Sequence, residues 1–285
     1  MSKHKKIIIL HAMKKTLVVP IDFTPVSHEA LLYACELSVN HNVEIVAVHL
    51  LDSKILDQYQ NAQNEDVKAI AQQMYQEVYQ KTKNDLDNFL DGLSVFYGDI
   101  IRPLITHGTI YEAFNDVAAK YDNPLIIMGT HGITGMQHVF GSRAYKVIIN
   151  TPYPFLIVQG RSYQQLANLY MIFKHANEIN AHVRDINTFA GVFQGKFIFN
   201  ILADDTTTPA HLPAGLQHLI ERISLVHEPL LEINAVERAK QANADTIGIC
   251  IDEIDNMSDL VYGIKQDKML ENNYRFPVFC LPQKR

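Results

Sequence analysis

The sequence has no tryptophan and only three cysteines among its 285 residues. The cysteines, Cys35, Cys250 and Cys280, lie far apart and form no CxxC pair. This usage argues against a disulfide framework and a structural zinc site, and it is typical of buried free thiols in a reducing cytoplasm. A run of about 18 apolar residues is also absent, so we predict no membrane-spanning helix and a cytoplasmic location.

Catalytic signatures and basic runs are missing as well. The sequence contains no GxSxG nucleophile motif, no GxxxxGK[ST] phosphate loop and no HExxH metal motif. We therefore predict no enzyme, no catalytic residues and no metal site of the protein's own, with slow ATP hydrolysis left open. The net charge is −6 without a long basic run, which argues against nucleic acid or an anionic membrane as a partner.

Short apolar runs alternate with helical segments along the chain. Leu17–Ile21 and Val43–Leu51 are apolar runs typical of buried strands, and the segment between them has the apolar period of a helix. Such a unit predicts two parallel strands joined by a right-handed crossover. The apolar face of the helix comprises Ala30, Leu31, Ala34, Leu37 and Ser38.

The rest of the first half continues this alternation. We predict a long helix from Asp66 to Leu93, and an edge strand near 100–106 because Pro103 interrupts it. A capping box from Thr109 to Glu112 is expected to open the next helix. Fourth and fifth strands are expected at 125–128 and 155–159. The expected buried stripe of the long helix comprises Val67, Ile70, Ala71, Met74, Val78, Leu86 and Leu90.

The second half repeats the pattern in a weaker form. Residues 17–52 align with 170–205 without a gap, at an offset of 153, which places His175 at the position of Asp22. We predict an α/β fold with two doubly wound, Rossmann-like, parallel five-stranded sheets in tandem, each in the strand order 3-2-1-4-5. The predicted domains are 13–160 and 165–285, and residues 1–12 are expected to extend outside the core.

The strongest local signal is a glycine-punctuated loop between the fourth strand and the following helix. It contains Gly129, Gly132 and the pair Gly141-Ser142. Glycine permits positive φ and close backbone approach, and a helix start offers unpaired N–H groups and the positive end of the helix dipole. Together these features favour a bound anion, most often a phosphate, and Arg143 would add positive charge.

At this loop the chain resembles the universal stress protein family, whose nucleotide-binding members carry two glycines three positions apart, a spacer and then Gly-Ser or Gly-Thr. The resemblance extends to Val19–Thr24 at the end of the first strand and to His49–Asp52 at the end of the second. It also includes Thr151–Gln159 at the fifth strand. It therefore covers the whole first domain, whereas in the second domain it is weak.

The resemblance implies that ATP or another adenine nucleotide lies over the carboxyl ends of the strands in the first domain. Asp22 would lie near the ribose or the adenine, Leu50 near the adenine, and the loop would hold ribose and phosphates. Mg²⁺ would enter only with the nucleotide. The complete set of candidate binding residues is Pro20, Asp22, Leu50, Gly129, His131, Gly132, Gly141, Ser142 and Arg143.

The family also implies a mode of assembly, because its members pair through their fifth strands. Residues 155–159 and 278–281 would then pair within one chain as a pseudo-dimer, and a homo-oligomer is an open alternative. The second domain is expected to bind no nucleotide. Its loop region, 252–263, has no glycine pair, and its four acidic residues would repel phosphate.

Three interpretations of function remain. The first is a stress-response or regulatory protein that binds an adenine nucleotide in its first domain. The second is an interaction or scaffold protein of the same family without nucleotide, favoured because the spacer 133–140 is one residue shorter than the family's usual spacer. The third is an adenylating enzyme of the same fold group, although Asp22-Phe-Thr-Pro stands where its glycine- and serine-rich loop would be.

Overall fold

The computed structural model describes residues 15–52, 64–97, 100–129, 147–148, 150–158, 163–173, 175–203, 213–227, 235–250 and 277–282. The predictions for residues 1–12 and for the acidic segment 252–263 lie outside these ranges. Within the described part, no helix is long and apolar enough to cross a membrane.

The strands form a ten-stranded sheet in the order β3-β2-β1-β4-β5-β10-β9-β6-β7-β8. Each half of the chain contributes five strands in the predicted order 3-2-1-4-5, which confirms the fold class. The central strands are apolar on both faces, as strands covered by helices on two sides must be. The strands are β1 Thr16–Ile21, β2 Glu44–Asp52, β3 Ile101–Gly108, β4 Leu125–Gly129, β5 Phe155–Val158, β6 Asn168–Phe173, β7 Phe197–Ala203, β8 Ile220–His227, β9 Thr246–Cys250 and β10 Val278–Leu281.

The two halves join through their fifth strands. Neighbouring strands are parallel within each half, whereas β10 pairs antiparallel with β5, with Phe279 opposite Leu156 and Cys280 opposite Phe155. The predicted pairing of 155–159 with 278–281 is therefore present in the structure. Each strand covers the open edge of the other, so neither offers an exposed edge to another chain. The domain limits themselves stay a prediction.

Helices cover both faces of the sheet. Side chains of α1, α2 and α4 pack in the core on one face, and side chains of α3 and α5 pack in the core on the other. Each core contains residues from both halves, so the junction between the halves is part of the hydrophobic interior. The helices whose two ends both lie among the described residues are α1 Pro25–His41, α2 Glu65–Tyr97, α3 Ile110–Ala118, α4 Val183–Phe193 and α5 Ala235–Gln241, with a 3-10 helix at Ala176–His182.

The boundaries of α1 follow from local chemistry. Thr24 caps its start, because the Thr24 side chain accepts a hydrogen bond from the backbone N–H of Ser27, and Pro25 occupies the first turn. The helix ends at His41 and is capped by Asn42, which adopts a left-handed conformation with φ of 52°. All five residues predicted for its apolar face are buried, which confirms that prediction.

The third strand and the start of α3 bring one confirmation and one correction. β3 lies at the edge of the sheet, as the position of Pro103 predicts. α3 begins directly after Thr109, but the side chain of Thr109 caps no backbone N–H. Its hydroxyl donates instead to the carboxylate of Glu112. The predicted capping box is therefore wrong in its bonding, because the two side chains satisfy each other.

The buried stripe predicted for α2 is wrong in its amino-terminal half. Leu86, Leu90 and Leu93 are buried, whereas Val67, Ile70 and Met74 are 50%, 61% and 56% exposed. A helix of 33 residues is about 50 Å long, and a nine-residue strand only about 30 Å. The apolar period of α2 therefore extends further than the surface of the sheet that could bury it.

The predicted alignment of the two halves is wrong by one residue. Leu17 and Leu169 belong to the same core, whereas Tyr170, which the offset of 153 assigns to Leu17, belongs to the core on the other face. Side chains alternate between the faces of a strand, so a shift of one residue moves each one to the opposite face. Leu17 and Leu169 are 152 positions apart, and this is the offset between β1 and β6.

Candidate functional site

The ladder between β1 and β4 ends early at the carboxyl edge of the sheet, and we call this position the crevice. Their pairing ends at Val18–Ile126, although β1 continues to Ile21 and β4 to Gly129. No register pair joins the last three residues of the two strands. The direction of the chain across the sheet reverses at this point, and open α/β sheets bind ligands in the crevice at such a position.

Pro20 explains why the ladder stops there. The carbonyl of Lys15 accepts a hydrogen bond of 2.9 Å from the N–H of Glu44, the first residue of β2. Backbone groups alternate in direction along a strand, so the odd-numbered residues of β1 face β2 and the even-numbered ones face β4. Pro20 consequently faces β4 but has no N–H to donate. It still lies opposite Val48 on β2, so only the β4 side opens.

The equivalent ladder in the second half is longer. The carbonyl of Asn168 accepts from the N–H of Asp245 at 2.8 Å, so the even-numbered residues of β6 face β9. At the offset of 152 the position of Pro20 is taken by Ile172, which has an N–H and pairs with Ile249. β6 and β9 share four pairs, against two between β1 and β4. Among the described strands, the early end of the ladder between first and fourth strand is thus a feature of the first half.

The corrected offset also changes the counterpart of Asp22. It is Lys174 and not His175, since β6 ends at Phe173 just as β1 ends at Ile21. A lysine supplies no carboxylate, so the prediction that the second half lacks this acidic group holds for the corrected position too.

Asp22 follows directly after β1 and is held by the turn into α1. Its Oδ1 accepts hydrogen bonds from the backbone N–H of Thr24 at 3.1 Å and from the Thr24 hydroxyl at 2.6 Å. Loss of hydration raises the pKa of the carboxyl, but the hydrogen bonds from Thr24 and Ser27 outweigh it and place the pKa below its ordinary value. Asp22 is therefore a fixed, ionised acceptor at the carboxyl edge of the sheet.

Phe23 and His49 form a stacked pair next to this carboxylate. Phe23 has a left-handed backbone with φ of 62°, and its ring centroid lies 4.4 Å from that of His49. The Nδ1 of His49 donates to the carbonyl of Ile21 at 2.8 Å, since a carbonyl can only accept. Burial lowers the pKa of His49, against the opposing effects of this bond and of Asp22 and Asp85. The imidazole is therefore neutral at pH 7.

Pro20 and Leu50 provide apolar surface at the same edge. Both are half-buried, unlike Val18 and Val46, which lie deeper along the same two strands and are fully buried. The alternation of side chains places all four on the face of the sheet that carries α3. The two side chains therefore leave a partly exposed apolar surface on this face of the edge.

Gly129 ends β4 against the start of α1. A Cβ atom at this position would lie 2.3 Å from the carbonyl oxygen of Val26 and 2.7 Å from its Cγ1, closer than carbon and oxygen atoms can approach. The glycine is therefore required by the packing of β4 on α1, whatever the following loop binds. The close backbone approach that glycine permits at this position is therefore to α1.

Five further predicted binding residues belong to the loop and lie outside the described residues: His131, Gly132, Gly141, Ser142 and Arg143. Of the predicted set, the structure places Pro20, Asp22, Leu50 and Gly129 at the carboxyl ends of β1, β2 and β4. Within the described ranges, no group of three or more His, Cys, Asp or Glu residues is arranged to hold a metal ion.

Sequence reasoning placed Phe23 and His49 within the motifs at the two strand ends but did not name them as site residues. Phe89 of α2 also belongs to this edge, with its ring centroid 5.6 Å from that of Phe23. A signal was present, because His49 interrupts an otherwise apolar strand immediately before Leu50. No feature of the sequence indicated the role of Phe23, because this role depends on a left-handed backbone conformation that is uncommon for an aromatic residue.

A sequence profile of the Universal stress protein family matches residues 13–159. The chain belongs to this family. Universal stress protein MJ0531 of Methanocaldococcus jannaschii is 27% identical over 172 residues, which cover 54% of this chain and 96% of that protein. Universal stress protein MJ0577 of the same organism is 22% identical over 162 residues, covering 54% of this chain and 99% of that one.

A solved structure extends the likeness to both halves of this universal stress protein. The universal stress protein from Archaeoglobus fulgidus matches with a TM-score of 0.57, covering 95% of this chain and 97% of that chain. At 12% sequence identity this likeness shows the fold alone.

Proposed function

We propose that this protein binds ATP or a related adenine nucleotide in the crevice between β1 and β4 of its first half, as a regulatory stress-response protein. The observation that carries the proposal is the ladder that ends at Val18–Ile126, three residues before the strand ends. A gap of this kind at the reversal point of an open α/β sheet is where nucleotides bind. The second half, with its longer ladder, would bind none.

The described groups suit the base and the sugar of such a ligand. The carboxylate of Asp22 would accept hydrogen bonds from ribose hydroxyls, for which an ionised acceptor held by Thr24 is well placed. Pro20 and Leu50 would contact the adenine. The phosphates would lie away from Asp22, which would repel them, and toward the glycine loop. Mg²⁺ would enter with the phosphates, since it is usually bound by few carboxylates together with phosphate oxygens.

The proposal includes no catalytic step. A nucleotide that binds one conformation of the crevice more tightly than another shifts the population toward it, and a partner protein can respond to that shift. The homo-oligomer predicted as an open alternative would be one such partner state. We also propose a cytoplasmic location, on the basis of the free cysteines and of the function of the family.

The alternative is an interaction protein of the same family without nucleotide. One observation favours it, namely that Gly129 is explained by its contact with Val26 and needs no ligand. If the remaining glycines also serve packing, the loop could persist without binding. The two functions differ in a directly measurable quantity, which is the amount of nucleotide bound.

The test is to denature the purified full chain, identify any released nucleotide by mass spectrometry, and titrate ATP, AMP and cyclic AMP by calorimetry. We expect binding in a one-to-one ratio, weakened about tenfold or more by Asp22→Asn, which corresponds to about 1.4 kcal/mol. This variant keeps an oxygen acceptor for Thr24 and removes only the charge. Asp87→Asn, on an exposed part of α2, is the matched control. No released nucleotide and no heat at millimolar concentration would establish the interaction protein instead.

A further inference from the structure

A buried row of three polar side chains lies in the second half, outside the nucleotide crevice. The Sγ of Cys250 is 3.2 Å from the Nε2 of His182, and the Nδ1 of His182 is 3.4 Å from the Oδ2 of Asp185. Their exposed fractions are 3%, 1% and 3%. A thiol, an imidazole and a carboxylate in this order have the geometry of an activated nucleophile with its base and the group that orients the base.

These three side chains lie where the direction of the chain across the sheet reverses in the second half, between β6 and β9. The pairs Leu17–Leu125 and Leu169–Thr246 make Cys250 the counterpart of Gly129, because both end the fourth strand of their half. In the first half, α1 lies so close to this position that only glycine fits. In the second half a side chain is present, and it faces His182, the residue that precedes α4.

The carboxylate decides the direction of the hydrogen bonds. The Oδ2 of Asp185 accepts from the tautomer of His182 that carries its proton on Nδ1. The Nε2 of His182 then has a free lone pair and accepts the proton of the Cys250 thiol. Asp185 lies in the first turn of α4, where the helix dipole favours negative charge, and a thiolate close to this helix start is favoured for the same reason.

The other two cysteines have no such arrangement. Burial raises the pKa of Cys35 to about 12 and also raises the pKa of Cys280 far above its ordinary value. Neither has a described hydrogen bond to an imidazole, in contrast to Cys250. The chain therefore contains two inert thiols that serve as internal references for the third.

We propose that Cys250 is a peroxide-reactive thiol, with His182 as its base and Asp185 as the positioning residue. The burial of the sulfur restricts the reagent to small molecules, of which hydrogen peroxide is the simplest. The thiol proton moves to Nε2 of His182, and the thiolate attacks one peroxide oxygen. An S–O bond forms as the O–O bond breaks, and the departing hydroxide takes the proton from His182 and leaves as water. Sulfur is oxidised to a sulfenic acid and peroxide is reduced.

The first experiment needs no variant. The native full chain is treated with hydrogen peroxide, the excess peroxide is removed, and the chain is then denatured in a dione that traps sulfenic acids, so that each cysteine is quantified by peptide mass spectrometry. We expect Cys250 to react about tenfold or more faster than Cys35 and Cys280, because only thiolates react. Equal rates at the three cysteines, or no trapped Cys250, would overturn the proposal.

Two variants then separate activation from simple accessibility. His182→Gln removes the base, and Asp185→Asn removes the carboxylate that fixes the tautomer; each is expected to lower the rate at Cys250 about tenfold without changing the rate at Cys280. The pH profile is the second readout, because loss of the base should move the rise of the rate at Cys250 to higher pH. An unchanged profile in folded His182→Gln would show that the thiol reacts without activation. If a variant does not fold, the comparison of the three native cysteines can still overturn the proposal.

Discussion

Pro20 of β1 and Ile172 of β6 occupy equivalent positions in the two halves, yet only Ile172 has an N–H and a partner on the fourth strand. The identity of one residue thus distinguishes the short ladder between β1 and β4 from the longer ladder between β6 and β9. Because a proline nitrogen cannot donate a hydrogen bond, the early end of the ladder between β1 and β4 follows from the covalent structure of Pro20 and does not depend on a ligand.

We therefore expect Pro20→Ile to close part of the crevice. The new N–H faces β4 and can extend the ladder, so the free energy of unfolding should stay level or rise by about 0.5–1.5 kcal/mol. Nucleotide affinity should fall about tenfold in calorimetry, a loss of about 1.4 kcal/mol. The opposite change, Ile172→Pro, is the matched control and should destabilise the protein, because it breaks a ladder bond to β9. If the nucleotide affinity of Pro20→Ile is unchanged, Pro20 does not contribute to the binding site.

Gly129→Ala should destabilise the fold through a clash between β4 and α1. The added Cβ would meet the backbone oxygen of Val26 at 2.3 Å, and backbone cannot rotate away as a side chain can. We expect a loss of about 1–3 kcal/mol by chemical denaturation, typical of overpacking. Gly92→Ala in α2 is the same chemical change where no atom lies within 4 Å. It should stabilise the helix by up to about 1 kcal/mol, and equal effects at the two sites would contradict this account.

The stability of the first half should decrease at mildly acidic pH through His49. Burial holds the pKa of His49 below its ordinary value of 6.5 in the folded protein. As the pH falls below that value, the unfolded chain takes up the proton first, so stability that is present above pH 6.5 is lost as the pH falls through the folded pKa.

Denaturant unfolding of wild type and His49→Gln from pH 7.5 to pH 5 measures this effect. The variant should lose less stability than the wild type over the acidic part of the range. The pKa of His41 is also lowered by burial, so some pH dependence should remain in both proteins. His107→Gln, at an exposed position on β3, is the control and should follow the wild type. Parallel curves for wild type and His49→Gln would exclude His49 as the source.

The fold and part of the site were predictable because their signals are local or follow from a small set of topologies. Alternating strands and helices allow few sheet orders, and the edge position of β3 follows from Pro103 alone. The offset between the halves was not predictable to one residue. Both faces of the central strands are apolar, so Leu17 aligns as well with Tyr170 as with Leu169 in sequence.

The features on which the two proposals rest depend on direction in space. That Pro20 opens the crevice follows from which neighbour its nitrogen faces, and this is known only once the register with Glu44 is fixed. The approach of Cys250 to His182 joins residues 68 positions apart. The sequence shows both side chains, but only the arrangement of β9 and α4 brings them together.

The two ends of α2 should respond differently to the loss of an apolar side chain. Leu90 is 7% exposed, and Leu90→Ala removes buried atoms, so we expect a loss of about 2–4 kcal/mol in the free energy of unfolding. Ile70 is 61% exposed on the same helix, and Ile70→Ala should change stability by no more than about 0.5 kcal/mol. Chemical denaturation of the two variants at low protein concentration measures both values. A large loss from Ile70→Ala would mean that the amino-terminal half of α2 packs against protein, either within the chain or in a second copy, and that its apolar period is a functional interface.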